Sequence, residues 1–532
     1  MTNQFLKSKN LFFIYLIYLS LFFPLWQNGE LYYDDWSVAE TGNLTNLKTA
    51  FTGYLNGFIT RPIAAIILGI FSQINHNFQL VFFINISVWF LFCLIVTKVF
   101  YRLTEKNFAN SLFLLLLFPS FCITNLISPY AQSLGTMSIF FWSISFLFSY
   151  KYCETKNKKY VFYATLLFIL SVLTYETSFT LVVLNFLLKY LYNNKSMKFN
   201  LNIFSSNKKE IFILFFVTLL IVIYQKIIVN YFPFEGSNRY RLSFSKEFFY
   251  TILENKYIPL LLLIDSFKLL IEASFRVFEI NLYLIPLFFL ILISLKSTVK
   301  INISNIYIVT FISFIILFIL FFIIAASLPT IYGYYNRAMS SYNFVFFLTL
   351  LSLIIIFVKK VYLRKIIITI LISLNFISFF IQVQNHSYAS TERKIISKEL
   401  NNFIDINKKN VFVFAFIPTK LKNDFNGEFI FSEEVLDFNR SLRFYSKNRI
   451  AGKRIYKNDE CDKILKIDDQ KFLITVPSRS RKDTKPIQDT VLKKFDHYFI
   501  YDYKDKSLIE LNNQNIQKIQ KIFFNKNYCR ST

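Results

Sequence analysis

Residues 77–97 read Asn77-Phe78-Gln79-Leu80-Val81-Phe82-Phe83-Ile84-Asn85-Ile86-Ser87-Val88-Trp89-Phe90-Leu91-Phe92-Cys93-Leu94-Ile95-Val96-Thr97, without a single charge. A helix rises about 1.5 Å per residue, so a run of this length matches the roughly 30 Å hydrocarbon core of a bilayer. Working outward, comparable runs occur at 11–27, 108–127, 130–150, 160–175, 177–193, 210–231, 281–296, 305–328, 342–358 and 366–384, which predicts about eleven membrane spans. The composition agrees: of 532 residues, 54% are hydrophobic and 20% aromatic, with 67 Phe against 10 Gly and 11 Pro. A soluble globular chain has no means of hiding that much apolar surface. The expected class is an all-α polytopic membrane protein. The first run lacks a small-residue cleavage site and is read as a retained helix.

Orientation follows from the basic residues in short loops. Lys98, Arg102 and Lys106 fall in one loop, Lys151, Lys156, Lys158 and Lys159 in the next, and Lys195, Lys198, Lys208 and Lys209 in a third. Lys296 and Lys300 mark a fourth, and Lys359, Lys360, Arg364 and Lys365 a fifth. Eleven spans with a cytoplasmic N-terminus place all five loops inside and the C-terminus outside. The net charge of +26 is then largely orientation charge and calls for no nucleic-acid partner.

The same topology sends a set of polar residues to the outer face, although none was used to build it. Tyr32-Tyr33-Asp34-Asp35-Trp36 follows the first span. Two adjacent carboxylates at a membrane boundary are costly to desolvate and repel one another, so packing alone is a poor reason for them. Arg61-Pro62, Tyr175-Glu176, Arg239, Arg241 and Asn336-Arg337 reach the same side. Each has a plainer reading: Asp as a helix cap, Arg61 snorkelling to headgroups, the loop arginines simply solvated.

Two outer segments, 28–76 and 232–280, are long. Arg61–Ile70 is apolar but too short to span, and reads as a helix in the interface. In 256–279, Asp265, Lys268, Glu272, Arg276 and Glu279 recur at spacings of three or four, which predicts a second interfacial helix with a charged face.

Several chemistries have no foothold in the sequence. There is no Gly-rich phosphate loop, no GxSxG elbow and no HExxH, and His76, His386 and His497 have no metal-ligand spacing. The inner loops are too short to fold a nucleotide-binding domain. A transferase of this shape would draw its donor from the bilayer.

An acidic pair in the first outer loop, interfacial helices behind it, about eleven spans and an external C-terminal segment resemble the GT-C superfamily of membrane glycosyltransferases. Asp34-Asp35-Trp36 followed by Arg61-Pro62 looks most like bacterial members that modify O-antigen or other surface glycans. The resemblance implies an inverting transfer from a polyprenyl-phosphate sugar to a glycan, lipid or protein acceptor outside the cell. It places the general base at Asp34, with Asp35 orienting the acceptor or holding a divalent cation, Mg or Mn, which some members do not need. Arg61, Tyr175, Glu176, Arg239, Arg241 and Arg337 would line the substrate site, the guanidiniums meeting the donor phosphate. By residue chemistry alone Asp34 and Asp35 are interchangeable. A glycan polymerase or a lipid-linked sugar flippase is the rival class; against a transporter stand the absence of an internal repeat and the scarcity of glycine.

Residues 385–532 change character. Mixed charges appear, a helix is expected at 391–406 and another near 433–447, and strand-like runs stand at 411–417, 429–432 and 472–476. The expectation is a small extracytoplasmic α/β domain after a transmembrane catalytic domain of residues 1–384. Cys461 and Cys529 in this segment could pair in a non-reducing compartment.

Overall fold

The computed structural model describes residues 8–28, 35, 38–39, 46–57, 61–74, 78–104, 106–127, 130, 133–193, 216–217, 220, 257–276, 303–327, 339–408, 411–417, 442, 446, 450–455, 467–468, 471–472, 497–502 and 506–510. The chain is mostly helical. Among the described residues, four helices are long and apolar enough to cross a membrane: Gln79–Leu103, Ser133–Thr155, Met339–Phe357 and Val361–Phe403. Among the described residues, the α-helices of six residues or more in chain order are α1 (Ser8–Leu21), α2 (Phe23–Asn28), α3 (Leu47–Gly57), α4 (Pro62–Ser72), α5 (Phe78–Leu103), α6 (Lys106–Leu117), α7 (Ser133–Thr155), α8 (Lys158–Thr174), α9 (Val182–Asn193), α10 (Ile258–Phe275), α11 (Ile303–Ser327), α12 (Met339–Phe357) and α13 (Val361–Phe403). The expected span at 281–296, nearly all of 210–231, the run at 429–432, most of 433–447 and 473–476, and Cys461 and Cys529 lie outside the described residues.

The chain divides into two compact units. Unit one comprises residues 1–29 and 41–384; unit two comprises 30–40 and 385–532. The short segment that carries the acidic pair is thus grouped with the C-terminal residues.

In unit one the helices are joined by ring contacts and by polar side chains that find backbone partners. Trp89 on α5 donates from Nε1 to the carbonyl of Leu116 at 2.8 Å, and Trp142 on α7 and Phe344 on α12 stand with ring centres 5.4 Å apart. The run 108–127, expected as one span, breaks after Leu117. Pro119 is the cause: it lacks an N–H and holds the residue before it away from helical geometry. The carbonyls freed at the break are taken up by α13, where Asn375 donates to Leu115 O at 2.9 Å and to Phe118 O at 2.8 Å. Gln382, two turns further on, donates to Ser120 O at 2.9 Å.

The run at 177–193 also differs from a plain helix. It opens as a 3₁₀ turn, Glu176–Leu181, before α9 begins. Thr177, Ser178 and Thr180 explain this, since hydroxyls compete for local backbone carbonyls; Thr180 donates to Thr177 O at 2.8 Å.

The helix α10 forms where a charged face was expected, but it carries three stripes rather than two. Leu262, Ser266, Leu269 and Ala273 are buried, and Ser266 and Tyr342 of α12 are joined through their hydroxyls at 2.9 Å. Leu260, Ile264, Ile271 and Phe275 are exposed and apolar, while Lys268 pairs with Glu272 at 3.5 Å on the remaining face. Three charges keep α10 outside the set of span-competent helices, and an exposed ion pair of this kind contributes little to stability.

In unit two the strands are β1 (Val411–Phe416), β2 (Ile450–Ile455), β3 (Ile467–Asp468), β4 (Lys471–Phe472), β5 (His497–Asp502) and β6 (Ser507–Glu510). Four of them form a sheet in the order β2-β1-β5-β6, with β1 parallel to both neighbours and β6 antiparallel to β5. The central strand reads Val-Phe-Val-Phe-Ala-Phe, the continuous apolar run of a strand covered on both faces. Val411, Val413 and Ala415 pack with Ile396, Leu400 and Ile404 and with Ile450 and Tyr501. The helix expected at 391–406 is not separate. No Gly or Pro interrupts residues 361–403, and α13 runs through both stretches as one element of 43 residues.

Candidate functional site

Arg61 is the residue just before α4, whose first position is Pro62. A proline is suited to that place because its ring presets the helical φ and the missing N–H would have had no helical partner. Ala64, Ala65, Leu68 and Gly69 line the buried face of α4, and a Cβ on Gly69 would meet the backbone of Phe51 on α3 at 3.5 Å. Small residues therefore let α3 and α4 approach closely. The start of α4 is held, and Arg61 with it.

The Arg61 side chain is enclosed, with 7% of the residue exposed. Its guanidinium carbon lies 4.6 Å from the centre of the Tyr175 ring. Such a contact contributes about 2 kcal/mol once water is excluded, against roughly 0.5–1 kcal/mol at an exposed site. Tyr175 is itself fixed by a knot of three serines. It closes α8, donating its N–H to Ser171 O at 3.0 Å, and it precedes the 3₁₀ turn. Ser138 on α7 donates to Ser171 O and to Tyr175 O, both at 3.0 Å. Ser171 returns a bond to Ser138 O at 2.6 Å, and its oxygen stands 2.7 Å from that of Ser178. The far end of the 3₁₀ turn is tied by Trp142, whose Nε1 donates to Leu181 O at 3.2 Å. Glu176 is the first residue of that turn.

Two of the residues expected in a site, Arg61 and Tyr175, are thus in contact. Asp35 belongs to the second unit and is wholly buried. Asp34, Arg239, Arg241 and Arg337 lie outside the described residues, as do Tyr32, Tyr33 and Trp36. Ser138, Ser171 and Ser178 were not singled out beforehand. Serine is ordinary in membrane helices, and only the turn geometry reveals what these three do.

Unit two has its own charged cluster. Lys408 donates to both carboxylate oxygens of Glu510, at 2.6 and 2.7 Å, and His497 Nδ1 stands 3.1 Å from Glu510 Oε1. The bond from Lys408, then that from His497, holds the Glu510 carboxyl below the usual carboxylate range despite partial burial. These groups sit where β1 and β5 begin and β6 ends, and Lys408 also lies over the Phe499 ring at 5.1 Å. Their evident work is to pin the sheet edge.

Among the described residues no three His, Cys, Asp or Glu side chains gather as metal ligands. Cys93, Cys122 and Cys153 are buried. Comparison with family models, with curated proteins and with solved structures finds no match.

Proposed function

We propose that the chain is an inverting membrane glycosyltransferase of the GT-C type, moving a sugar from a polyprenyl-phosphate donor to a surface-glycan, lipid or protein acceptor on the outer face of the membrane. In this reading residues 1–384 are the transmembrane catalytic domain, with about eleven spans, and residues 385–532 form an α/β domain outside the cell. The observation that carries it is the contact between Arg61 and Tyr175. The two were assigned to the outer face separately, and in the folded chain they meet with the cation shielded from water. An enclosed guanidinium suits a leaving phosphate, whose charge grows as the glycosidic bond breaks.

The acceptor hydroxyl attacks the anomeric carbon while a carboxylate removes its proton; the electron pair of the broken bond leaves on the lipid phosphate. Asp34 is the base in this scheme, and Arg239, Arg241 and Arg337 supply further phosphate contacts.

The test is transfer from a synthetic polyprenyl-phosphate sugar by the purified protein. D34N should lower the rate by about 10²-fold or more while leaving the fold intact, the usual range for loss of a positioned base. Undiminished transfer by D34N would remove Asp34 from this role.

A further inference from the structure

Asn343 on α12 is wholly buried, and among the described side-chain amides it is the one with no hydrogen-bond partner at either Oδ1 or Nδ2. Both ends of that amide lose water on folding, a cost that hydrogen bonds normally offset. Asn375 shows the contrast, with its amide spent on three partners at the Pro119 break. A leucine would fill the place of Asn343 without the penalty. Stability of the fold therefore gives no reason for an amide at this position.

Its neighbours on α12 fix where it points. Ser340, Phe346 and Phe347 lie three or four residues away and share its face. Ser340 accepts from Asn125 Nδ2 at 2.7 Å, while the Phe346 and Phe347 ring centres stand 5.0 and 5.2 Å from that of Phe121. Asn343 is therefore aimed at the segment that follows Pro119. Asn125 is also held from α7, where Thr136 Oγ1 donates to its carbonyl at 3.2 Å. Asn125, Thr136 and Ser340 are all buried and neutral. Two residues along α7 from Thr136, Ser138 donates to Tyr175 O at 3.0 Å. The two anchors are about 3 Å apart along the axis of α7, so this polar nest and the turn that carries Tyr175 lie at one level of the bundle.

We infer that Asn343 is a substrate-binding residue, held for a neutral ligand rich in hydroxyls rather than for the fold. Its unspent amide offers one acceptor and two donors, which suits adjacent hydroxyls of a sugar ring, since each hydroxyl can both give and take a hydrogen bond. A phosphate would meet no counter-charge among Asn125, Thr136 and Ser340. The ligand is accordingly the sugar of the lipid-linked donor, and Asn343 serves its recognition. Naming the donor sugar rests on the transferase reading; the unspent amide does not.

The experiment compares N343L with wild type in detergent, by thermal unfolding and by binding of polyprenyl-phosphate glucose, polyprenyl-phosphate N-acetylglucosamine and sugar-free polyprenyl phosphate. Without ligand, N343L should unfold about 2 °C or more above wild type, because no amide is left stranded. The sugar-bearing donor that wild type prefers should bind N343L about tenfold or more weakly, while the sugar-free lipid should bind both proteins alike. An N343L that unfolds below wild type would show the amide to be bonded within the fold and overturn the inference. Unchanged binding of the preferred donor would overturn it too, as would an equal loss for the sugar-free lipid. If wild type neither binds nor transfers any donor, the transferase reading fails, and free glucose and N-acetylglucosamine then test the amide alone. A Tm rise in wild type that N343L lacks would sustain Asn343 as a binding residue, and no rise in either would overturn it. Should leucine prevent folding, N343A adds no bulk and repeats the binding comparison; wild-type affinity in that variant would sink the inference.

Discussion

The Arg61 guanidinium rests 4.6 Å from the centre of the Tyr175 ring, at the junction where α4 begins and α8 ends. Helix starts and ends are where backbone groups lack helical partners, and each here is satisfied by a different device. Pro62 removes the need at one, and the serines of α7 and α8 meet it at the other. The cation and the ring are therefore carried by two braced termini rather than by loose loops.

If the ring face is what holds the cation, leucine at position 175 should fail where phenylalanine succeeds. Y175L is expected to destabilise the protein by about 1–2 kcal/mol and Y175F by clearly less, since the phenyl face keeps its quadrupole. Thermal unfolding of both variants in detergent is the check. Equal losses would mean that bulk, not the ring's charge distribution, supports Arg61.

The serine knot should behave as a unit. S138A and S171A each remove a buried hydroxyl that donates across the α7–α8 contact, at about 1 kcal/mol apiece. Because each hydroxyl bonds the other residue's backbone, the double variant should cost less than the sum, with a coupling of at least about 0.5 kcal/mol. Strict additivity would show the two bonds to be independent.

The membrane helices were legible because an uncharged run of sufficient length has few other fates in water. Residues 77–97 and 342–358 coincide closely with α5 and α12, two of the helices long and apolar enough to cross a membrane. The break at Pro119 carried its own signal in the sequence, yet the surrounding apolar run masked it. Arg61 and Tyr175 were each conspicuous as polar groups expected on the outer side, but their contact was not, since spacing along a chain carries no distance between distant segments. Arg393 looked like one more charge in a polar stretch; only its burial sets it apart. The strand β2, Ile-Ala-Gly-Lys-Arg-Ile, escaped notice because Gly452, Lys453 and Arg454 erase the apolar pattern, and pairing with β1 supplies what propensity does not.

The Glu510 cluster predicts a pH dependence with a definite sign. Its carboxyl is held below the ordinary range, chiefly by Lys408 and then by His497. The folded state therefore binds its proton less readily than the unfolded chain does. The resulting stability is fully present above the ordinary carboxylate pKa, about 4.3, and is lost as pH falls through the lower folded value. E510Q should flatten this part of the profile. Measuring urea unfolding of wild type and E510Q from neutral to acid pH gives the comparison; parallel profiles would show that Glu510 is not linked to folding.

Asn375 is an exacting position in unit one. It lies wholly buried on α13 and serves three groups at the Pro119 break: it donates to Leu115 O and Phe118 O and accepts from Ser120 Oγ at 2.6 Å. In a bilayer no water replaces a lost partner, so the two carbonyls would stay unsatisfied in N375L. The expected cost is roughly 2–5 kcal/mol, at about 1–3 kcal/mol for each stranded buried group. N375D should also destabilise, because it keeps the acceptor for Ser120 while losing the two donated bonds. P119A should not rescue N375L unless residues 115–120 then continue as helix and take up the carbonyls themselves. Unfolding of N375L, N375D and N375L/P119A in one detergent settles the matter. Wild-type stability in N375L would mean that the break is satisfied by other groups and that Asn375 merely fills space.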